Sequence, residues 1–120
     1  MHAELIRLNT SDGKVHYGAF YPAEKPSSLG IVLVHGMTGS FVGEIESAIP
    51  PLLAAAGLPV LAANNRGNGL LGAATETVAG VLPDLSAAID AMQARGFARI
   101  VLIGHSKGGV KVSYYLSKTH

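Results

Sequence analysis

Apolar positions fall into short runs separated by polar, glycine-rich or proline-rich breaks. Ala3–Leu8 and Val15–Tyr21 flank Thr10-Ser11-Asp12-Gly13, and Asp-Gly between two strand-like runs predicts a β-hairpin. Glu24–Ser28, bracketed by Pro22 and including Pro26, reads as a loop. Ile31-Val32-Leu33-Val34 is continuously apolar, the pattern of a buried parallel strand. Further strands are predicted at Leu58–Ala63 and Arg99–Ile103. Between them the period changes to that of a helix. Ile45, Ile49, Leu52, Leu53 and Ala56 place one helix over Glu44–Ala56, with Gly57 as its stop. Pro50 and Pro51 interrupt that segment; the alternatives are a late start, with one proline in the first turn, or a kink. Val78, Val81, Leu82, Leu85, Ile89 and Met92 form one stripe on a helix over Thr75–Arg95, ended by Gly96. Gly109–Lys118 is the last helix.

The order β-β-β-α-β-α-β-α implies an α/β fold, a mostly parallel sheet with helices on both faces. With 120 residues, 48% hydrophobic and 14% charged, the chain suits strands buried on both sides and excludes a disordered segment. It has no internal repeat, low-complexity tract or linker, so residues 1–120 are one domain or part of one. A net charge of +1 with scattered basic residues gives no footprint for nucleic acid. No apolar run spans a bilayer, and the first residues lack the basic start and apolar core of a signal peptide, so a soluble, cytoplasmic protein is expected. Zero cysteines exclude disulfides and thiolate metal sites, and the five dispersed histidines lack ligand spacing, so no metal or cofactor is expected.

The chemistry concentrates in Ile100-Val101-Leu102-Ile103-Gly104-His105-Ser106-Lys107-Gly108-Gly109. An apolar strand leads into a serine with glycine two positions away on either side, and a helix follows. This is the G-x-S-x-G nucleophile elbow in its expected setting. The sharp turn presents Ser106, side chains at Gly104 and Gly108 would collide with neighbouring elements, and the Lys107 N–H lies at a helix N-terminus where an oxyanion would form. A Walker A loop does not fit, since the lysine and serine stand in the wrong order, and no Gly-x-Gly-x-x-Gly opens a helix. In the loop after the third strand, His35-Gly36-Met37-Thr38-Gly39, the Met37 N–H is the candidate second oxyanion donor. His35 and His105 are read as shaping these turns with Gly36, rather than as bases.

With these features the chain resembles the N-terminal half of an α/β-hydrolase of the esterase, lipase and thioesterase-like kind. The His35-Gly36 turn, the Asn65-Arg66-Gly67-Asn68-Gly69 loop and the elbow recur in family order and spacing. The resemblance implies sheet order 1-2-4-3-5 with the first strand antiparallel to its neighbours, and residues 1–120 as a partial domain ending after the helix that follows the elbow. Many relatives carry Asp-x-Arg-Gly-x-Gly in the second loop; Asn64 stands in place of the acid, and Arg66 is expected to order the loop.

Family chain order is Ser, then Asp or Glu, then His. After Ser106 there is no acid and one histidine, His120, about 20 Å away along the final helix. Asp84, Asp90, Glu44 and Glu46 precede Ser106 on predicted helices, where solvated faces and caps are the ordinary roles, and none has a convincing partner histidine. The resemblance implies a serine hydrolase of carboxylic esters or thioesters, acting through an acyl-enzyme at Ser106, with the acid and base outside this chain and the chain alone inactive. The alternative is a non-catalytic binding or interaction domain, or an inactive fragment, on the same scaffold. Arg99–Ile103 would be left as an apolar edge, open to self-association or to a complementing C-terminal half. A fragment or shortened reading frame is favoured over half of a two-chain enzyme or a dimerising domain. Met37, Phe41, Val42, Leu70 and Leu71 lean toward a small or medium hydrophobic ester.

Overall fold

The computed structural model describes residues 2–69 and 77–119. Five strands, β1 (Glu4–Asn9), β2 (Val15–Tyr21), β3 (Leu29–Val34), β4 (Val60–Ala63) and β5 (Arg99–Gly104), form one sheet in the order β1-β2-β4-β3-β5. β1 is antiparallel to its one neighbour, β2, through a turn in which the Gly13 N–H donates to the Thr10 carbonyl. The reversed strand is β2 rather than β1. It also runs antiparallel to β4, so β1 shares the direction of β4, β3 and β5, and its antiparallel character is that of a hairpin alone.

Three α-helices are described: α1 (Glu44–Ala55), α2 (Leu82–Ala94) and α3 (Lys107–Thr119). They cover both faces. Ile31, Leu33, Val60 and Ala62 pack on the α1 side with Leu53 and Phe41, while Val32, Val34, Leu61 and Ala63 pack on the other side with Leu85, Ala88, Met92 and Tyr115. The continuous apolar runs of β3 and β4 are thus buried on both faces, as parallel strands between helical layers must be. α1 and α2 end alike. Gly57 and Gly96 take positive φ, and the residue after each glycine donates back into the last turn (Leu58 to Leu53, Phe97 to Met92), satisfying carbonyls the helix leaves open.

Two helices depart from the sequence reading. α1 starts at Glu44 and carries both prolines in its interior, so a late start is excluded. Its buried face is Glu46, Pro50 and Ala54, while Ile45 and Leu52 of the expected stripe are exposed at 38% and 68%. A charged side chain displaces the apolar phase because it is held by a partner across the site. The helix expected over Thr75–Arg95 becomes regular only at Leu82, after a single 3₁₀ turn at Ala79–Val81, with Pro83 in its first turn; Thr75 lies outside the described residues. Among the described residues no helix is long and apolar enough to cross a membrane.

Candidate active site

Ser106 stands between the end of β5 and the first residue of α3, exposed, with φ +58°. A non-glycine residue in the left-handed region carries backbone strain of about 1–3 kcal/mol and persists only where its surroundings enforce it. Here they do. The Gly108 N–H donates to the His105 carbonyl at 2.9 Å, the Gly109 N–H to the Ser106 carbonyl at 3.0 Å, and the His105 N–H to the Val34 carbonyl at 3.0 Å. The two flanking glycines permit that closeness. A Cβ on Gly104 would overlap the Gly108 backbone, and one on Gly108 would overlap the Val34 carbonyl oxygen. A serine hydroxyl is thereby presented at the positive end of a helix dipole.

The loop after β3 closes over this turn. A Cβ on Gly36 would stand 3.1 Å from the Ser106 Cβ and 3.2 Å from the Lys107 nitrogen, so only glycine lets the two loops approach this far. The Gly36 carbonyl accepts from the Gly39 N–H at 3.2 Å and is 2.8 Å from His35 Nδ1, and Thr38 takes φ +57°. The Met37 N–H has no hydrogen-bond partner among the described residues, and its side chain is exposed. The ring of His35 is fully buried, and its Nε2 accepts from the Asn65 N–H at 3.0 Å, which leaves Nδ1 as the donor to Gly36. Both ring nitrogens are therefore engaged in shaping the loop.

The loop after β4 braces the same segment. Asn64 Oδ1 accepts from the Phe41 N–H at 2.8 Å, and the Gly69 N–H donates to the Gly39 carbonyl at 3.0 Å. An amide oxygen at position 64 makes a contact for which a carboxylate is unnecessary. Lys111, on α3 and fully buried, donates from Nζ to Asn65 Oδ1 at 2.7 Å and to the His35 carbonyl at 3.2 Å. Arg66 is taken up by two carboxylates. Its guanidinium and N–H donate to both carboxylate oxygens of Asp84 at 2.8–2.9 Å, and the same fork holds Asp12 at 2.8 and 3.0 Å. His16 Nε2 lies 2.9 Å from Asp84 Oδ1, the oxygen that also accepts from Arg66 Nη2. Burial pushes the Asp84 carboxyl up, but the bonds from His16 and Arg66 outweigh it and hold the group below the usual carboxylate value. Hydrogen bonds from Arg66, and then from the Thr10 hydroxyl, hold Asp12 well below that range.

Two of the four helix carboxylates read as solvated or capping are neither. Asp84 is buried against His16 and Arg66, and Glu46 is buried with Oε2 2.9 Å from His105 Nδ1. Burial is possible because each is paired, and the pairings join residues 68 and 59 positions apart, which no local pattern reveals. Ser106, Lys107, Gly104, Gly108, His105, Gly36 and His35 lie together at the end of β5 and the facing loop, and Met37 lies on the same loop as Gly36. Glu46, Asn65 and Lys111 join them, and no local sequence pattern marks them as members of the site. Of the residues taken to lean toward a hydrophobic ester, Met37 and Val42 are exposed, Phe41 packs on the α1-side core, and Leu70 and Leu71 lie outside the described residues, as does His120.

Comparisons with known proteins agree with this architecture. The alpha/beta hydrolase fold family matches residues 31–119. Among solved structures, the Est1E protein of Butyrivibrio proteoclasticus with bound ferulic acid superposes with a TM-score of 0.79 at 21% identity, over 94% of this chain and 47% of its own. The Pyrococcus furiosus esterase Pf2001 gives 0.81 at 24% identity, over 98% and 48%. A putative alpha/beta hydrolase from Agrobacterium tumefaciens gives 0.77 at 20% identity, over 96% and 55%. The chain thus spans about half the length of these proteins. Among curated proteins none matches by sequence.

Proposed function

Because the chain belongs to the alpha/beta hydrolase fold family, we propose that it is the nucleophile-bearing part of a serine hydrolase of carboxylic esters or thioesters. The observation that carries this reading is the strained, exposed Ser106 at a helix N-terminus, with Gly36 of the facing loop against its Cβ. Ser106 Oγ attacks the substrate carbonyl carbon as a base takes its proton. The carbonyl oxygen becomes an oxyanion held by the Met37 and Lys107 backbone N–H groups. Collapse expels the alcohol or thiol, protonated by the same base, and leaves an acyl-enzyme that water hydrolyses in a second, equivalent step. His35 is unsuited to be the base, since both its ring nitrogens are engaged, and His105 Nδ1 faces Glu46. The base and its orienting acid are assigned to residues outside these 120. Among the described residues β5 pairs with β3 alone and leaves Val101 42% exposed, so this edge is where a further strand would complete the sheet and bring those residues in.

A non-catalytic domain on the same scaffold is the second reading, since a fold does not by itself confer activity. Intact mass spectrometry with a fluorophosphonate probe decides between them. One adduct per chain, lost in Ser106→Ala, is expected of the hydrolase. A chain that gains no adduct even when supplied with the completing segment would refute it.

A further inference from the structure

The lysine on the inner face of α3 has a part in no step of the proposed reaction, yet it lies directly beneath the site. Lys111 is fully buried, and its Nζ reaches two segments at once, the His35 carbonyl at 3.2 Å and Asn65 Oδ1 at 2.7 Å. Asn65 in turn donates its N–H to His35 Nε2, and His35 Nδ1 donates to the Gly36 carbonyl. These bonds form a closed circuit of Lys111, Asn65 and His35, linking α3 to the loops after β3 and β4. The His35 carbonyl belongs to the peptide that leads into Gly36, the residue lying against Ser106. An unbranched apolar side chain such as methionine would fill the same space without the cost of burying an ionisable amine. We infer that Lys111 is a positioning residue: by fixing the His35–Gly36 peptide and Asn65 together, it sets where Gly36 and Met37 stand relative to Ser106.

This inference rests on reading Ser106 as the nucleophile and the Met37 N–H as an oxyanion donor, and its test separates the two. In the 120-residue chain, Lys111→Met is compared with wild type under conditions where both are fully folded by circular dichroism. Amide hydrogen exchange is followed at Gly39 and Asn65, with the β1–β2 hairpin as internal control, and the rate constant of fluorophosphonate capture is separated from the probe's reversible affinity. Expected are faster exchange at Gly39 and Asn65 only, and capture about 10- to 100-fold slower at unchanged affinity, the scale of a displaced oxyanion donor. Unchanged exchange at both amides overturns the inference, and so does faster exchange with capture at the wild-type rate. If the wild-type chain is not captured, which the assignment of the base to residues outside these 120 allows, exchange alone decides whether Lys111 fixes the loop, and unchanged exchange overturns the inference. Should Lys111→Met not fold, Asn65→Ser removes one partner of the same amine and carries the same expectations.

Discussion

Gly108 and Gly109 are neighbours in the first turn of α3, and alanine is expected to move stability in opposite directions at the two positions. In a helix alanine is favoured over glycine by about 1 kcal/mol, because glycine loses more backbone freedom on folding. At Gly109 nothing opposes that gain. The nearest atom to a built Cβ is the Gly104 oxygen at 4.0 Å, an ordinary contact. At Gly108 the same methyl group overlaps the Val34 carbonyl oxygen and lies 3.0 Å from the Val34 carbonyl carbon and 3.1 Å from the His35 oxygen. All three are backbone atoms of the last residue of β3 and the first residue after it, and no rotamer change can move them aside. Overpacking of this kind costs about 1–3 kcal/mol, and rigid backbone neighbours put the site at the upper end. Set against the helical gain, Gly108→Ala should destabilise by about 2 kcal/mol, a fall in Tm of about 8 °C for a chain of this size, while Gly109→Ala should raise Tm by up to about 4 °C. Thermal unfolding followed by far-UV circular dichroism on both variants measures the difference. Shifts of the same sign would refute the claim that α3 is wedged against the end of β3 at Gly108.

Asp84→Asn should cost about 3 kcal/mol in urea unfolding at pH 7, the lower end for breaking a buried ion pair, because Arg66 retains Asp12. The wild-type carboxyl is held below its unfolded value, so its contribution is complete above about pH 4 and fades as pH falls through the lower folded value. The gap between the two proteins should therefore narrow in acid, and a gap that is constant or widens there would contradict the pairing. Ser106→Gly should raise stability by about 1 kcal/mol through relief of the positive φ while removing the fluorophosphonate adduct; a less stable glycine variant would show that the turn holds no strain.

What the sequence displays well is whatever repeats along the chain. The apolar runs at Ile31–Val34 and Val15–Tyr21, the α2 stripe and the helix-ending glycines each impose their pattern through neighbours a few positions away, and they appear in place. The glycine spacing around Ser106 is legible for the same reason, since the collisions it avoids are local to one turn and the strand beside it. Polar side chains that meet across the fold are not legible in this way. Glu46, Asp84 and Lys111 look like surface residues in sequence, because charge on a helix is ordinarily solvated. Their burial depends on His105, on His16 with Arg66, and on His35 with Asn65, partners supplied by other elements. Glu46 also shifts the buried face of α1, so one long-range pair spoils a periodicity that would otherwise be readable. The direction of β2 escaped because a hairpin fixes only the relation between its own two strands.

The strand order has a consequence for the chain as it is made. β3 lies between β4 and β5, with Ile31 registered on Val60 and Leu29 on Arg99. At about 5–20 residues per second, a ribosome exposes this apolar strand for seconds before its first partner, roughly thirty residues on, has been polymerised, and its second follows roughly seventy residues on. Ser106 gains its setting only after that second pairing forms. During this interval β3 is the segment on which holding chaperones would act, and the nascent chain cannot present Ser106 in its strained turn before the sheet that carries it has closed around β3.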